Sequence, residues 1–176
     1  MTVTGETWQA LAREYTARII SERNESPGES PALRNSQGRR KVYLDTSVFV
    51  YFIEEHPIYF DACDQIFEYL EQGKIEAVTS TLTLTEILVQ PYKQKNDELV
   101  LKFYSLFTTY PHLTWQPLTL PISDLAAKLR AEYNLKTPDA IHAASALLSG
   151  TTCIICNDQV FSRVSDIKCM ILDECL

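Results

Sequence analysis

The sequence predicts a three-layer α/β/α domain built on a mostly parallel central sheet, and three observations predict it. Beyond residue 41, short apolar runs of strand length alternate with longer stretches whose apolar residues recur at helical spacing. Pro, Gly, Asn and Ser punctuate the joins between them. At 176 residues with 45% hydrophobic content, the chain is long enough to bury one core. Strands separated by helices pair in parallel, because each crossover helix returns the chain to the same edge and covers a face of the sheet.

The elements follow in order. Residues 7–23, TWQALAREYTARIISER, place Trp8, Leu11, Tyr15 and Ile19 at helical spacing and predict a short amphipathic helix. Residues 21–40 run through Asn, Glu, Ser, Pro and Gly with almost no apolar residue, the composition of a mobile linker. Residues 1–40 are therefore expected as an N-terminal extension and residues 41–176 as the main domain. Its first strand is expected over 42–45. A helix over 59–72 follows, with Phe60, Cys63, Phe67 and Leu70 on one face. A strand over 75–79 leads to a helix over 82–90, which Pro91 is expected to end. Asn96 is placed to cap a helix reaching 108, and Pro117 weakens a strand over 113–118. Ser123 is expected to cap a helix over 124–133. Thr137 is expected to cap the next, with Pro138 in its first position and Gly150 just past its end. Strands over 152–156 and 168–172 complete the sheet, and no internal repeat is present.

Bulk properties exclude several classes. No stretch approaches the 18 or so apolar residues of a membrane span, and no apolar leader with a small-residue cleavage site opens the chain. A cytoplasmic protein with no membrane partner is expected. The five cysteines, Cys63, Cys153, Cys156, Cys169 and Cys175, are odd in number and lack a framework spacing, which suits a reducing compartment. Cys153 and Cys156 form a CxxC, but on a strand residues three apart face opposite ways, so buried thiols are expected rather than a zinc site. The formal charge is −7, and because residues 1–41 hold seven basic and five acidic residues, the acidity belongs to the main domain. A module that holds nucleic acid by bulk electrostatics would be basic.

Ligands of parallel sheets bind outside the carboxyl ends of the strands, and acids stand there. Asp45 ends the first strand in KVYLDTS. Glu86 lies in the apolar segment TLTLTEILVQP with no Lys or Arg three or four residues away, so its partner must come from elsewhere in the fold. Asp139 opens the helix TPDAIHAASALLSG, and Asp158 follows the strand TCIIC. Each alone is ordinary capping or turn chemistry. Together, the strand-end positions bring distant carboxylates to one crevice, where mutual repulsion favours Mg²⁺ or Mn²⁺. An ion held there can activate water and stabilise charge on a phosphodiester.

Four segments, LDTSVFV with Asp45, TLTLTEIL with Glu86, TPDAIHAASAL with Asp139 and NDQVFSRV with Asp158, occur in this order between residues 41 and 172. The last two, whose acids are 19 positions apart, are the most specific. In order and wording these segments resemble the PIN-domain family, particularly VapC-like toxins of toxin-antitoxin pairs. The resemblance implies an α/β/α fold, divalent-metal ribonuclease activity, frequent homodimers and a cognate antitoxin. It carries Asp45, Glu86, Asp139 and Asp158 over as the catalytic, metal-holding acids, with Thr46, Ser47 and Asn157 as polar support. The extension over 1–40 departs from the usual VapC-like pattern.

Other candidates remain beside the acids. His142 shares a helix face with Asp139 and is either a core histidine or a neighbour of the metal shell. His56 and His112 sit in proline-containing turns and read as loop residues. Arg163 can meet an RNA phosphate or neutralise Asp158 or Asp166. Of the aromatic run Tyr43, Phe49, Tyr51 and Phe52, most are expected in the core, and an exposed member can stack a base. Two rival functions use similar residues. A metal-dependent phosphatase would also place acids at strand ends, although the first strand offers DTS rather than DxD. A non-catalytic interaction module would keep the fold and have no need of four intact acids.

Overall fold

A computed structural model describes residues 40–175. The predicted helix over 7–23 and the linker up to residue 39 lie outside the described residues. Five strands are present: β1 (Arg40–Leu44), β2 (Ile75–Ser80), β3 (Leu113–Gln116), β4 (Cys153–Cys156) and β5 (Cys169–Ile171). The helices are α1 (Thr46–Ile53), α2 (Phe60–Glu71), α3 (Thr81–Gln94), α4 (Asp97–Thr109), α5 (Leu120–Tyr133) and α6 (Thr137–Leu148). Two 3-10 turns, Gln159–Arg163 and Leu172–Cys175, flank β5. The sheet has the order β3-β2-β1-β4-β5, and every pair is parallel. The predicted α/β class is thus the observed one.

Alternation along the strands divides the interior into two cores. Val42 and Leu44 of β1, Ala77 of β2 and Ile155 of β4 pack with Phe49, Phe67 and Phe103 from α1, α2 and α4. Tyr43, Val78, Ile154 and Cys156 turn the other way, onto Ile122, Ala126 and Leu129 of α5 and Ala140, Ala143 and Ala144 of α6. Both faces of β1, β2 and β4 are thereby buried, which is why these strands read as nearly continuous apolar runs. Cys153 packs against the first core and Cys156 lies in the second, as their spacing on a strand requires. All five cysteines are free.

Several local expectations are corrected. Helix α1 was not anticipated, because TSVFVYFI is apolar all round and shows no period. It forms after Asp45, whose extended backbone and side chain cap its first turn. Tyr43 and Phe49 are buried, while Tyr51 and Phe52 are half-buried. Pro91 does not end α3. It sits inside the helix with its ring buried, and the helix stops four residues later at Lys95, whose left-handed backbone forms the C-cap. Ser123 is not a cap, because α5 begins at Leu120 after Thr119, and the Ser123 N–H already donates to the Thr119 carbonyl at 2.9 Å. Nor does Thr137 cap α6. It is the first helical residue, and Lys136 precedes it without a side-chain capping bond. Gly150 does take up positive φ, 64°, past the end of α6, where a side chain would be strained. Asn96 caps α4 as expected, accepting from the Leu99 N–H at 3.0 Å.

The topology fixes where a ligand would enter. From β1 the chain steps outward to β2 and β3, then returns to the opposite side of β1 for β4 and β5. The reversal opens a crevice between the carboxyl ends of β1 and β4. Among the described residues no helix is long and apolar enough to cross a membrane.

Candidate acidic site

The crevice is bounded by the residues that follow β1 and β4. Asp45 leaves β1 with its N–H donating to the Ile155 carbonyl of β4 at 3.0 Å, which pins it beside the reversal point. Its Oδ2 accepts from the Ser47 N–H at 3.3 Å and from the Ser47 hydroxyl at 2.9 Å. Asp158, at the end of β4, caps the following 3-10 turn through Oδ1, which accepts from the Val160 N–H at 2.9 Å, and its side chain is exposed.

Glu86 comes from the middle of α3, and its partner does lie elsewhere in the fold. The Thr46 hydroxyl at the start of α1 donates to Glu86 Oε2. His142 Nε2 of α6 stands 3.0 Å from the same oxygen. Burial raises the Glu86 pKa, but the hydrogen bonds from His142 and Thr46 outweigh it and hold the carboxyl below its ordinary range. His142 is itself 2% exposed, and its Nδ1 is 2.7 Å from the buried Tyr43 hydroxyl. Burial, and then the charge of Asp45, push the Tyr43 phenol well above its usual range, so it remains un-ionised.

Asp139, half-buried in the first turn of α6, feels the other acids. Burial raises its pKa first, and the charge of Asp158 raises it further. Lys136 opposes this and Asp45 adds to it. Asp45, Asp139 and Asp158 therefore share one electrostatic neighbourhood, and Glu86 joins Asp139 through His142, which lies three residues farther along the same helix.

The supporting residues divide their roles. Thr46 holds Glu86 and Ser47 holds Asp45. Asn157 touches no acid side chain. Its Nδ2 donates to the Tyr51 hydroxyl at 3.3 Å, and its Oδ1 accepts from the Asp173 N–H at 2.9 Å, so it ties the end of β4 to α1 and to the last 3-10 turn. Arg163 is exposed and, among the described residues, forms no ion pair with Asp158 or Asp166. His56 stacks on Tyr59 at 4.8 Å and lies 4.7 Å from Tyr51, a loop residue packed into an aromatic group. His142 takes the core position, and its Nε2 also contacts Glu86. Tyr43 carried no signal beyond its place on β1.

Among the described residues, no three His, Cys, Asp or Glu side chains stand close enough together to enclose an ion unaided. The donor chemistry nevertheless suits a hard divalent cation. Mg²⁺ keeps several waters and is held through one or two carboxylates plus substrate phosphate, so a closed protein cage is not required. The raised Asp139 marks an excess of negative charge that such an ion would relieve.

A parallel sheet wound in this order, with helices on both faces and acids following its strands at the reversal point, defines an α/β domain whose ligand edge is acidic. The model of the PIN domain family matches residues 42–167. The chain belongs to the PIN domain family. Solved structures share its fold. DNA-bound VapBC from Salmonella typhimurium matches with a TM-score of 0.60 and 18% identity, covering 76% of this chain and 98% of that one. VapBC2 from Rickettsia felis, bound to a DNA fragment from its promoter, matches at 0.59 and 17%, covering 74% and 98%. VapC20 from Mycobacterium tuberculosis, a toxin that cleaves the sarcin-ricin loop, matches at 0.55 and 15%, covering 69% and 92%. No curated protein matches the chain in sequence.

Proposed function

We propose that this protein is a divalent-metal-dependent endoribonuclease and the toxin component of a toxin-antitoxin pair. The observation that carries the reading is the placement of Asp45, Asp139 and Asp158 after β1, at the start of α6 and after β4, where burial first and then the charges of Asp158 and Asp45 raise Asp139. Membership of a nuclease family supports hydrolysis of phosphodiesters. An RNA target is supported by the RNA-cleaving VapC20 neighbour, and a protein antitoxin by the VapBC complexes among the structural neighbours. A homodimer acting in the cytoplasm completes the proposal.

Asp45, Glu86, Asp139 and Asp158 would hold Mg²⁺ or Mn²⁺. When bound, the ion supplies activation of water and neutralisation of charge at the scissile phosphate. The chain's own contribution is positioning. Ser47 fixes Asp45 with Oδ2 occupied, Thr46 and His142 fix Glu86 with Oε2 occupied, and the opposite oxygen of each is left available to a ligand. Asn157 keeps the end of β4, and with it Asp158, from drifting away from α1. An acidic crevice repels the RNA backbone, so substrate entry is itself tied to the presence of the cation.

The test is cleavage of single-stranded RNA by the wild type and by Asp45→Asn and Asp139→Asn, with Mn²⁺ and with EDTA. Both variants should fold and lose activity by orders of magnitude, because an isosteric amide keeps the shape and removes the charge. Wild-type cleavage that resists EDTA, or folded variants that stay fully active, would mean that the acids are structural. Hydrolysis of a small phosphate ester with no action on RNA would favour the phosphatase.

A further inference from the structure

Glu86 is the acid whose anchoring runs through the interior of the domain. Three elements meet at its carboxylate and a fourth stands behind them: α3 carries it, α1 supplies Thr46, α6 supplies His142, and β1 supplies Tyr43 behind His142. α6 also carries Asp139, three residues before His142, and β1 ends one residue before Asp45. We propose that Tyr43 and His142 form a positioning relay that fixes Glu86 with one oxygen turned to the crevice and thereby sets the affinity of the site for divalent metal. The inference rests on the metal-dependent reading above.

The geometry determines the direction of the relay. An ionised carboxylate only accepts, so His142 Nε2 must donate to Glu86 Oε2, and on the neutral ring Nδ1 is then the acceptor for the phenol proton. The Tyr43 hydroxyl stands 2.7 Å from His142 Nδ1, in a place with no solvent exposure for Tyr43. Donation to Nδ1 leaves the proton of the neutral ring on Nε2. That nitrogen is 3.0 Å from Glu86 Oε2 and donates to it. Thr46 donates to the same oxygen, so Oε2 has two donors, and among the described residues none reaches Oε1. The carboxylate cannot rotate without breaking both bonds, and its second oxygen is held in reserve for a ligand. Where a ligating group is oriented by an outer partner in this way, loss of the partner costs about 10–100-fold in metal affinity or activity.

The experiment measures Mn²⁺ affinity of the full chain by calorimetry, for the wild type, His142→Gln and His142→Asn. The glutamine amide can reach the place of Nε2 and restore a donor to Oε2, whereas the asparagine amide ends near Nδ1 and cannot. His142→Asn should lose about 10–100-fold in Mn²⁺ affinity, and His142→Gln should keep most of it. Equal affinity of all three proteins would overturn the relay and leave His142 a packing residue, whatever the change in melting temperature. A wild type that takes up no Mn²⁺ would overturn the metal reading and the relay together, so the two failures are distinguishable. Should His142→Asn fail to fold, two-bond ¹H–¹⁵N correlation on the wild type reads the tautomer directly. The Nε2–H form is expected, and the Nδ1–H form would overturn the proposal.

Discussion

Replacing Tyr43 with Phe removes one oxygen from a fully buried side chain and leaves the ring in its packing against the α5 and α6 face. The removed hydroxyl is the partner of His142 Nδ1 at 2.7 Å, and His142 is 2% exposed, so no water reaches the orphaned nitrogen. A buried polar atom left without its partner costs about 1–3 kcal/mol, more than the net worth of the bond itself. A domain of this size shifts by roughly 3–4 °C per kcal/mol, so the melting temperature should fall by about 3–12 °C. Tyr133 supplies the control. Its hydroxyl is 3.2 Å from Ser165 Oγ at an exposed position, and Tyr133→Phe should change stability by less than about 0.5 kcal/mol. The assay is reversible urea unfolding of both variants in EDTA, with the slope checked for constancy so that a midpoint shift reports stability. A Tyr43→Phe protein as stable as wild type, or a Tyr133→Phe protein equally destabilised, would refute the buried hydrogen bond.

Two further perturbations bear on the site and on the extension. Because burial and the charges of Asp158 and Asp45 raise the Asp139 carboxyl, the folded state holds that proton more tightly than the unfolded chain, and stability contributed there is lost as pH rises through the carboxylate range. Asp139→Asn should therefore melt higher than wild type at pH 7 in EDTA, with the advantage vanishing at acid pH. A lower melting temperature at pH 7 would refute the crowding. Deleting residues 1–39 should leave the melting temperature within a few degrees, since a polar linker contributes few core contacts, and a large loss would assign the helix over 7–23 to the core.

What could be read from the sequence was what depends on local pattern. Asp45 and Asp158 stand at strand ends, Asp139 opens a helix, and the parallel topology gathers such positions by rule. The cost of burying Glu86 without a neighbouring cation was legible too, but its partner was not, because His142 is 56 positions away and Tyr43 lies 99 positions before His142. No local window contains that relation. Helix α1 was hidden for the opposite reason: with Val48 and Phe49 buried and the rest of the run half-buried, both faces of the segment are apolar and leave no period to detect. The caps at Ser123 and Thr137 were misplaced by residues of good capping type that the structure uses inside the first turn, next to prolines that suit that turn equally well.

The four acids are not held alike, and the difference bears on how the site would respond to a cation. Asp45, Glu86 and Asp158 each have one carboxylate oxygen occupied by donors of the chain, from Ser47, from Thr46 with His142, and from Val160. Donors to a carboxylate oxygen fix its direction, so these three are oriented before any ligand arrives. Asp139 has no such hydrogen bond among the described residues, and it is the acid whose pKa is raised by burial and by its neighbours' charges. The electrostatic strain of the crevice is thus concentrated on one side chain at the positive end of α6, where the helix dipole partly offsets it. A cation entering the crevice would stabilise Asp139 more than any of the other three. Removing the Asp139 charge should accordingly cost more Mn²⁺ affinity than removing that of Asp158, and equal losses by calorimetry for Asp139→Asn and Asp158→Asn would refute that ranking.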